Sequence, residues 1–177
     1  MAATIVPPII ALVTDRRITG TEDALVEAVD RAVGGGVNLV QLREKDLGQN
    51  DLLGLARRLR ETIRDRALLF VNNEPNVALL SLADGVHLGE SVAGLTRQAA
   101  AQGLVGRSVH DLRTAQQAAD DGAHLLIAGP IHATRTHPGQ RPAGLALVEE
   151  ISGAVDVPVL GIGGITAANA SDIIAAG

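Results

Sequence analysis

The chain has 177 residues, 46% of them hydrophobic, with a single Phe, no Trp, Tyr or Cys, and a formal charge of −5 at neutral pH. That length suits one domain spanning residues 1–177, whose core must be built from Ala, Val, Leu and Ile. The composition excludes disulfides and thiolate chemistry, offers no basic stripe or stacking aromatics for nucleic acid, and contains no apolar run near the ~20 residues that cross a bilayer. With no charged leader before a long apolar stretch at the start, the expectation is a soluble cytoplasmic protein without nucleic-acid or membrane partners.

Strand-like and helix-like segments then alternate. Ile9 to Val13 is a short apolar run closed by Thr14-Asp15. Leu25, Ala28, Val29, Ala32 and Val33 follow at helical spacing, and Gly34-Gly35-Gly36 stops that helix. A second strand, Asn38 to Gln41, runs into Leu42-Arg43-Glu44-Lys45; alternation along a strand would set Gln41, Arg43 and Lys45 on one side. Leu52, Leu55, Ala56, Leu59 and Ile63 stripe the next helix. Leu68 to Val71 is a third strand ended by Asn72-Asn73, Gly85 to Leu88 a fourth and Leu104 to Ser108 a fifth. Leu112, Ala115 and Ala119 stripe the helix before a sixth strand, Leu125 to Ala128. Val159 to Ile162 is the seventh, followed by a helix-like segment with Ile173 and Ile174.

Short strands, apolar on both faces and separated by helices, imply a parallel sheet covered by helices, an α/β fold. A doubly wound sheet and a TIM (β/α)8 barrel both satisfy this. Polar groups follow nearly every strand rather than clustering at one switch point, which favours the barrel. By this count the barrel is truncated after the seventh βα unit, with the eighth strand and helix absent. The apolar outer surface of such a barrel suits a homodimer.

The ends of barrel strands form the active face. Gln41, Arg43 and Lys45 there make an anion grip. Gly161-Ile162-Gly163-Gly164-Ile165-Thr166, between a strand and a helix, provides close backbone N–H groups for a phosphate. His110 lies just beyond the fifth strand, with Ser108 two residues back on the same side, and is the acid/base candidate. His124 opens a strand; His132 and His137, five residues apart, do not have helical metal spacing, because Pro138, Gly139 and Gly144 mark an irregular loop, Ile131 to Arg141, suited to a flap over a bound anion. His87 ends the fourth strand, lining the pocket or packing within it.

Six ordered pieces carry a resemblance: Leu12 to Asp15, Val40 to Lys45, Asp84 to Gly89, Gly106 to His110, Gly129-Pro130-Ile131 with Thr134-Arg135-Thr136, and Gly161 to Ile165. Together they resemble the thiamine-phosphate synthase and TenI superfamily over nearly the whole chain. The resemblance implies the barrel and two candidate chemistries. A synthase joins a pyrimidine pyrophosphate to a thiazole phosphate with magnesium, releasing pyrophosphate. A TenI-type tautomerase shifts a proton to aromatise a thiazole carboxylate phosphate.

Departures from the synthase pattern separate the two. Asn73 stands where the pattern has a metal-binding Asp, Val92 where it has a second, and His137 where it has a pyrophosphate-binding lysine. Glu74 and Glu90 are the carboxylates left nearby. Expelling pyrophosphate demands positive charge where negative charge develops, and a proton shift does not. The expectation is therefore a TenI-type thiazole tautomerase that needs no cofactor. In it His110 shuttles the proton, Arg43 and Lys45 hold the substrate carboxylate, and Gly163 and Gly164 bind its phosphate. Gln41, Asn72, Ser108, Thr134, Thr136 and His137 complete the expected substrate-binding set. The first alternative is thiamine-phosphate synthase, which would need Mg2+. The second is a non-catalytic regulator that binds thiazole phosphate.

Overall fold

A computed structural model describes residues 4–134, 139 and 141–177. In chain order the elements begin with β1 (Ala11–Val13), α1 (Arg16–Thr19), α2 (Glu22–Gly34), β2 (Leu39–Leu42), α3 (Gln49–Ile63), β3 (Leu68–Asn72), α4 (Pro75–Leu80) and β4 (Gly85–Leu88). A 3-10 segment (Glu90–Leu95) leads into α5 (Thr96–Ala100), followed by β5 (Leu104–Val109), α6 (Leu112–Asp120), β6 (Leu125–Ala128), α7 (Leu145–Ser152), β7 (Val159–Gly161) and α8 (Ala170–Ala175). Residues 1–87 with 101–104 form one compact unit, and residues 88–100 with 105–177 form another.

In the first unit β1, β2, β3 and β4 lie side by side, all parallel. All four residues of β2 are buried, as are Leu69, Phe70 and Val71 of β3, so helices cover these strands and leave no solvated face. α2 starts where the Thr21 hydroxyl accepts from Ala24 N at 3.1 Å, and buries Leu25, Val29 and Val33. Ala28 and Ala32, predicted on the same stripe, are half-buried. The stripe predicted for α3 is buried in full.

β1 starts two residues later than the sequence suggests, and β2 is displaced by one. The Asn38 side chain accounts for the late start of β1. It accepts from Ile10 N at 2.8 Å and donates to Pro8 O at 2.9 Å, taking backbone groups that a longer β1 would have used.

In the second unit β5, β6 and β7 are parallel neighbours, with Val109 level with Ala128 and Ala128 level with Gly161. Val109, Ala115, Ala118, Leu126, Val148 and Ile151 belong to one buried cluster that joins β5, α6, β6 and α7. β7 ends at Gly161 rather than Ile162.

Within each unit strand order follows chain order without reversal, as a barrel requires and a doubly wound sheet does not. The fold is α/β and TIM-like, with seven parallel strands. Among the described residues no helix is long and apolar enough to cross a membrane.

Candidate active site

In the first unit the site is built where β1, β2 and β3 end. Thr14 N continues the ladder to Gln41 O at 3.0 Å. The Thr14 hydroxyl then donates to Glu44 Oε1 at 2.6 Å and accepts from Arg43 N at 3.0 Å. Glu44 also accepts from Arg16 N at 3.2 and 3.0 Å, and Arg16 Nη2 reaches Asp46 at 2.6 Å. This lattice fixes the loop that carries Arg43 and Lys45. Neither of their side chains forms an ion pair or hydrogen bond with a described residue, so both cations are available to an anion. Beside them, the Arg17 guanidinium bonds Asp15 at 2.8 and 2.9 Å and holds that carboxyl below its usual range.

The predicted alternation of Gln41, Arg43 and Lys45 does not extend that far, because β2 ends at Leu42. Gln41 is buried, Arg43 half-buried and Lys45 exposed. Gln41 instead pairs with Asn72 on β3, its Nε2 donating to Asn72 Oδ1 at 3.0 Å. Among the described residues Gln41 Oε1 and Asn72 Nδ2 are left as one acceptor and one donor.

The second unit holds the other predicted residues. Val109 packs among α6 residues, so alternation turns Arg107 to the helices and Ser108 to the opposite face. His110 follows the strand and is exposed. Its Nδ1 lies 2.5 Å from Gly129 O, and a carbonyl oxygen only accepts, so Nδ1 carries the hydrogen. Nε2 is left facing Glu90 Oε1 at 3.8 Å.

Gly163 and Gly164 have φ of 101° and 65°, values that L side chains rarely adopt. A Cβ at Gly163 would stand 2.8 Å from Pro130 Cβ, and one at Gly164 2.7 Å from Ala133 O. The close approach lets Ile131 N and His132 N donate to Ile162 O at 2.8 Å and Gly163 O at 3.0 Å. The N–H groups of Gly163 and Gly164 have no partner among the described residues and form a small donor concavity. Thr134 is half-buried in the following loop; Thr136 and His137 lie outside the described residues.

The residues at the two positions where the resemblance places metal carboxylates do not fit a metal site. Asn73 is an amide held at φ 58°, with its N–H donating to His87 O at 2.8 Å, and Val92 has no ligand atom in its side chain. Glu74 shares one oxygen with Gln49 Nε2 at 2.9 Å. Among the described residues no group of three or more His, Cys, Asp or Glu side chains could hold a metal ion. The sequence reading missed Glu44, Arg107 and the pairing of Glu90 with His110. The first two sit in quoted motifs, but no residue pattern marks a buried charge.

Comparison with known proteins supplies the remaining observation. A thiamine-phosphate synthase of Gloeobacter violaceus is 42% identical over 164 residues, which cover 90% of this chain and 48% of that protein. One of Roseiflexus castenholzii is 41% identical over 174 residues, covering 96% of this chain and 76% of that one. The chain therefore spans about half the length of the first curated relative and about three-quarters of the second. A solved structure of thiamine phosphate pyrophosphorylase from Pyrococcus furiosus is 34% identical and covers 94% of this chain and 80% of its own, with a TM-score of 0.83.

These likenesses overturn the tautomerase expectation. It rested on three substituted positions, whereas the likeness to synthases runs through nearly the whole chain. Its physical weakness is that magnesium is commonly held by one or two carboxylates plus substrate phosphates and waters, so a changed side-chain ligand does not by itself specify a new reaction. A family model described as thiamine monophosphate synthase, TMP-TENI, matches residues 10–177. The chain belongs to that family.

Proposed function

We propose that this chain carries thiamine-phosphate synthase activity, joining a pyrimidine pyrophosphate to a thiazole phosphate with release of pyrophosphate. The observation that carries the reading is the identity of 41–42% to proteins named thiamine-phosphate synthase across at least nine-tenths of the chain.

In this reading each group has a task. The acceptor and donor left by the Gln41–Asn72 pair complement a pyrimidine edge. Arg43 and Lys45, unpaired among the described residues, hold pyrophosphate oxygens and meet the negative charge that builds as the bond to the pyrimidine breaks. His110, with Nδ1–H fixed on Gly129 O, presents Nε2 as the ring nitrogen that exchanges a proton during the reaction. The Gly163 and Gly164 N–H groups receive the thiazole phosphate, and Ser108 and Thr134 contribute hydroxyls.

The experiment is an assay with both substrates and Mg2+, following thiamine phosphate and pyrophosphate together. Equal formation of the two products supports the reading. Binding of both substrates without any product would overturn it. Arg43→Ala removes a charge-assisted contact worth about 1.5–3 kcal/mol, which corresponds to roughly a 10- to 150-fold loss in kcat/KM.

A further inference from the structure

Arg107 is a charged side chain for which the proposed reaction has no use, yet it is 5% exposed. It points from β5 toward the helices, away from the face that carries Ser108. Its Nη1 donates to Ala93 O at 3.0 Å and to Thr96 Oγ1 at 2.5 Å. Thr96, itself 1% exposed, donates its hydroxyl to the same Ala93 O at 2.7 Å. The three groups close a triangle on the joint where the 3-10 segment passes into α5.

No carboxylate among the described residues forms an ion pair with Arg107, and its Nε is buried without a hydrogen-bond partner. Burial pulls the guanidinium below its ordinary pKa, with Asp121 and Glu90 opposing through space. Two neutral acceptors return only part of what desolvating a guanidinium costs. An aliphatic side chain would fill the same space more cheaply. It would not grip the joint.

What the joint positions is Glu90. This residue opens the same segment, and Val92 between them leaves helical geometry at φ −122°, ψ 21°, so the segment is kinked there; Val92 N donates to Gly89 O at 3.2 Å and Thr96 N to Ala93 O, the carbonyl that Arg107 also grips. Glu90 Oε1 is the carboxylate oxygen 3.8 Å from His110 Nε2.

We propose that Arg107 is a positioning residue that grips the Ala93–Thr96 joint and thereby holds Glu90 beside His110 Nε2. The kinetic consequence rests on the synthase reading; the placement of Glu90 does not.

The test pairs Arg107→Met and Thr96→Val with Glu90→Gln. At one fixed pH, 1H–15N spectra report the His110 ring resonances. Glu90→Gln is expected to move the Nε2 signal in the wild-type background and to move it severalfold less in the Arg107→Met and Thr96→Val backgrounds. Arg107→Met and Glu90→Gln should each lower kcat about 10- to 100-fold with little change in KM, and the double variant should be no worse than either. A purely structural role would lower thermal stability and leave the Glu90–His110 coupling intact. The proposal is overturned if Glu90→Gln moves the His110 signal equally in all backgrounds, or fails to move it in the wild type. If Arg107→Met does not fold, the near-isosteric Thr96→Val decides the matter. Spectral coupling in a protein that makes no thiamine phosphate would uphold the positioning role and sink the synthase reading alone.

Discussion

Glu44 brings a carboxylate into the first unit at 5% exposure, and its oxygens are met by a hydroxyl and a backbone N–H rather than by a cation's side chain. Charge-assisted bonds of this kind are worth about 1.5–3 kcal/mol each, and removing the acceptor also leaves buried donors unmet. Glu44→Ala should therefore cost about 2–4 kcal/mol in denaturant unfolding. Glu44→Gln should cost less, because its carbonyl still accepts from Thr14, while its amide faces the Arg16 N–H donor-to-donor. Both variants should also weaken substrate binding, since Arg43 projects from the loop that Glu44 ties down. This latch was hidden in the sequence. Arg43, Glu44 and Lys45 read as three charges in a row, and nothing local says that the middle one turns inward. That follows from Thr14, thirty positions away, lying at the end of the paired strand.

Helix α6 was legible as an element because Leu112, Ala115 and Ala119 form a stripe, and the structure adds a capping box at Asp111. Asp111 Oδ1 accepts from Thr114 N at 2.7 Å, and Thr114 Oγ1 lies 3.4 Å from Asp111 N. The bond from Thr114 N holds the Asp111 carboxyl below its usual range. A carboxyl whose folded-state pKa is depressed contributes stability above its unfolded value of about 3.9, and that stability fades as pH falls through the folded value. Asp111→Ala should cost about 1 kcal/mol near neutral pH. The gap between variant and wild type should close in unfolding curves taken progressively below about pH 4. An undiminished gap at pH 2 would show that the cap acts through shape rather than charge. The shorter helices were not legible on the same grounds. α4 spans six residues and the 3-10 segment has no stripe of its own, so tertiary contacts such as the Arg107 triangle define them.

At the scale of the whole molecule, apolar residues that are almost all aliphatic made the alternation of strands and helices easy to read, since β2, β4 and β6 are unbroken buried runs. The chemistry was less legible. Three substituted positions were weighed against the likeness of nearly the whole chain, and they pointed to the wrong reaction. The sole Phe shows how core and site are linked. Phe70 is 1% exposed and shares its strand face with Asn72, two residues on, whose side chain receives Gln41. In register it stands between Gln41 on β2 and Gly85 on β4. Gly85 cannot expand to fill space there, because a Cβ would come within 2.9 Å of Leu104 Cβ. The buried ring thus lies on the same face as the Gln41–Asn72 pair and beside it in register. Phe70→Ala should cost about 3–5 kcal/mol, seen as a lower denaturant midpoint at unchanged slope. Phe70→Leu, closer in volume, should cost less than about 1.5 kcal/mol. If the ring also supports the pair above it, Phe70→Ala should raise KM for the pyrimidine substrate under conditions where the protein remains folded, and Phe70→Leu should leave it near wild type. An unchanged KM in Phe70→Ala would mean that Gln41 and Asn72 hold their geometry through their mutual bond alone.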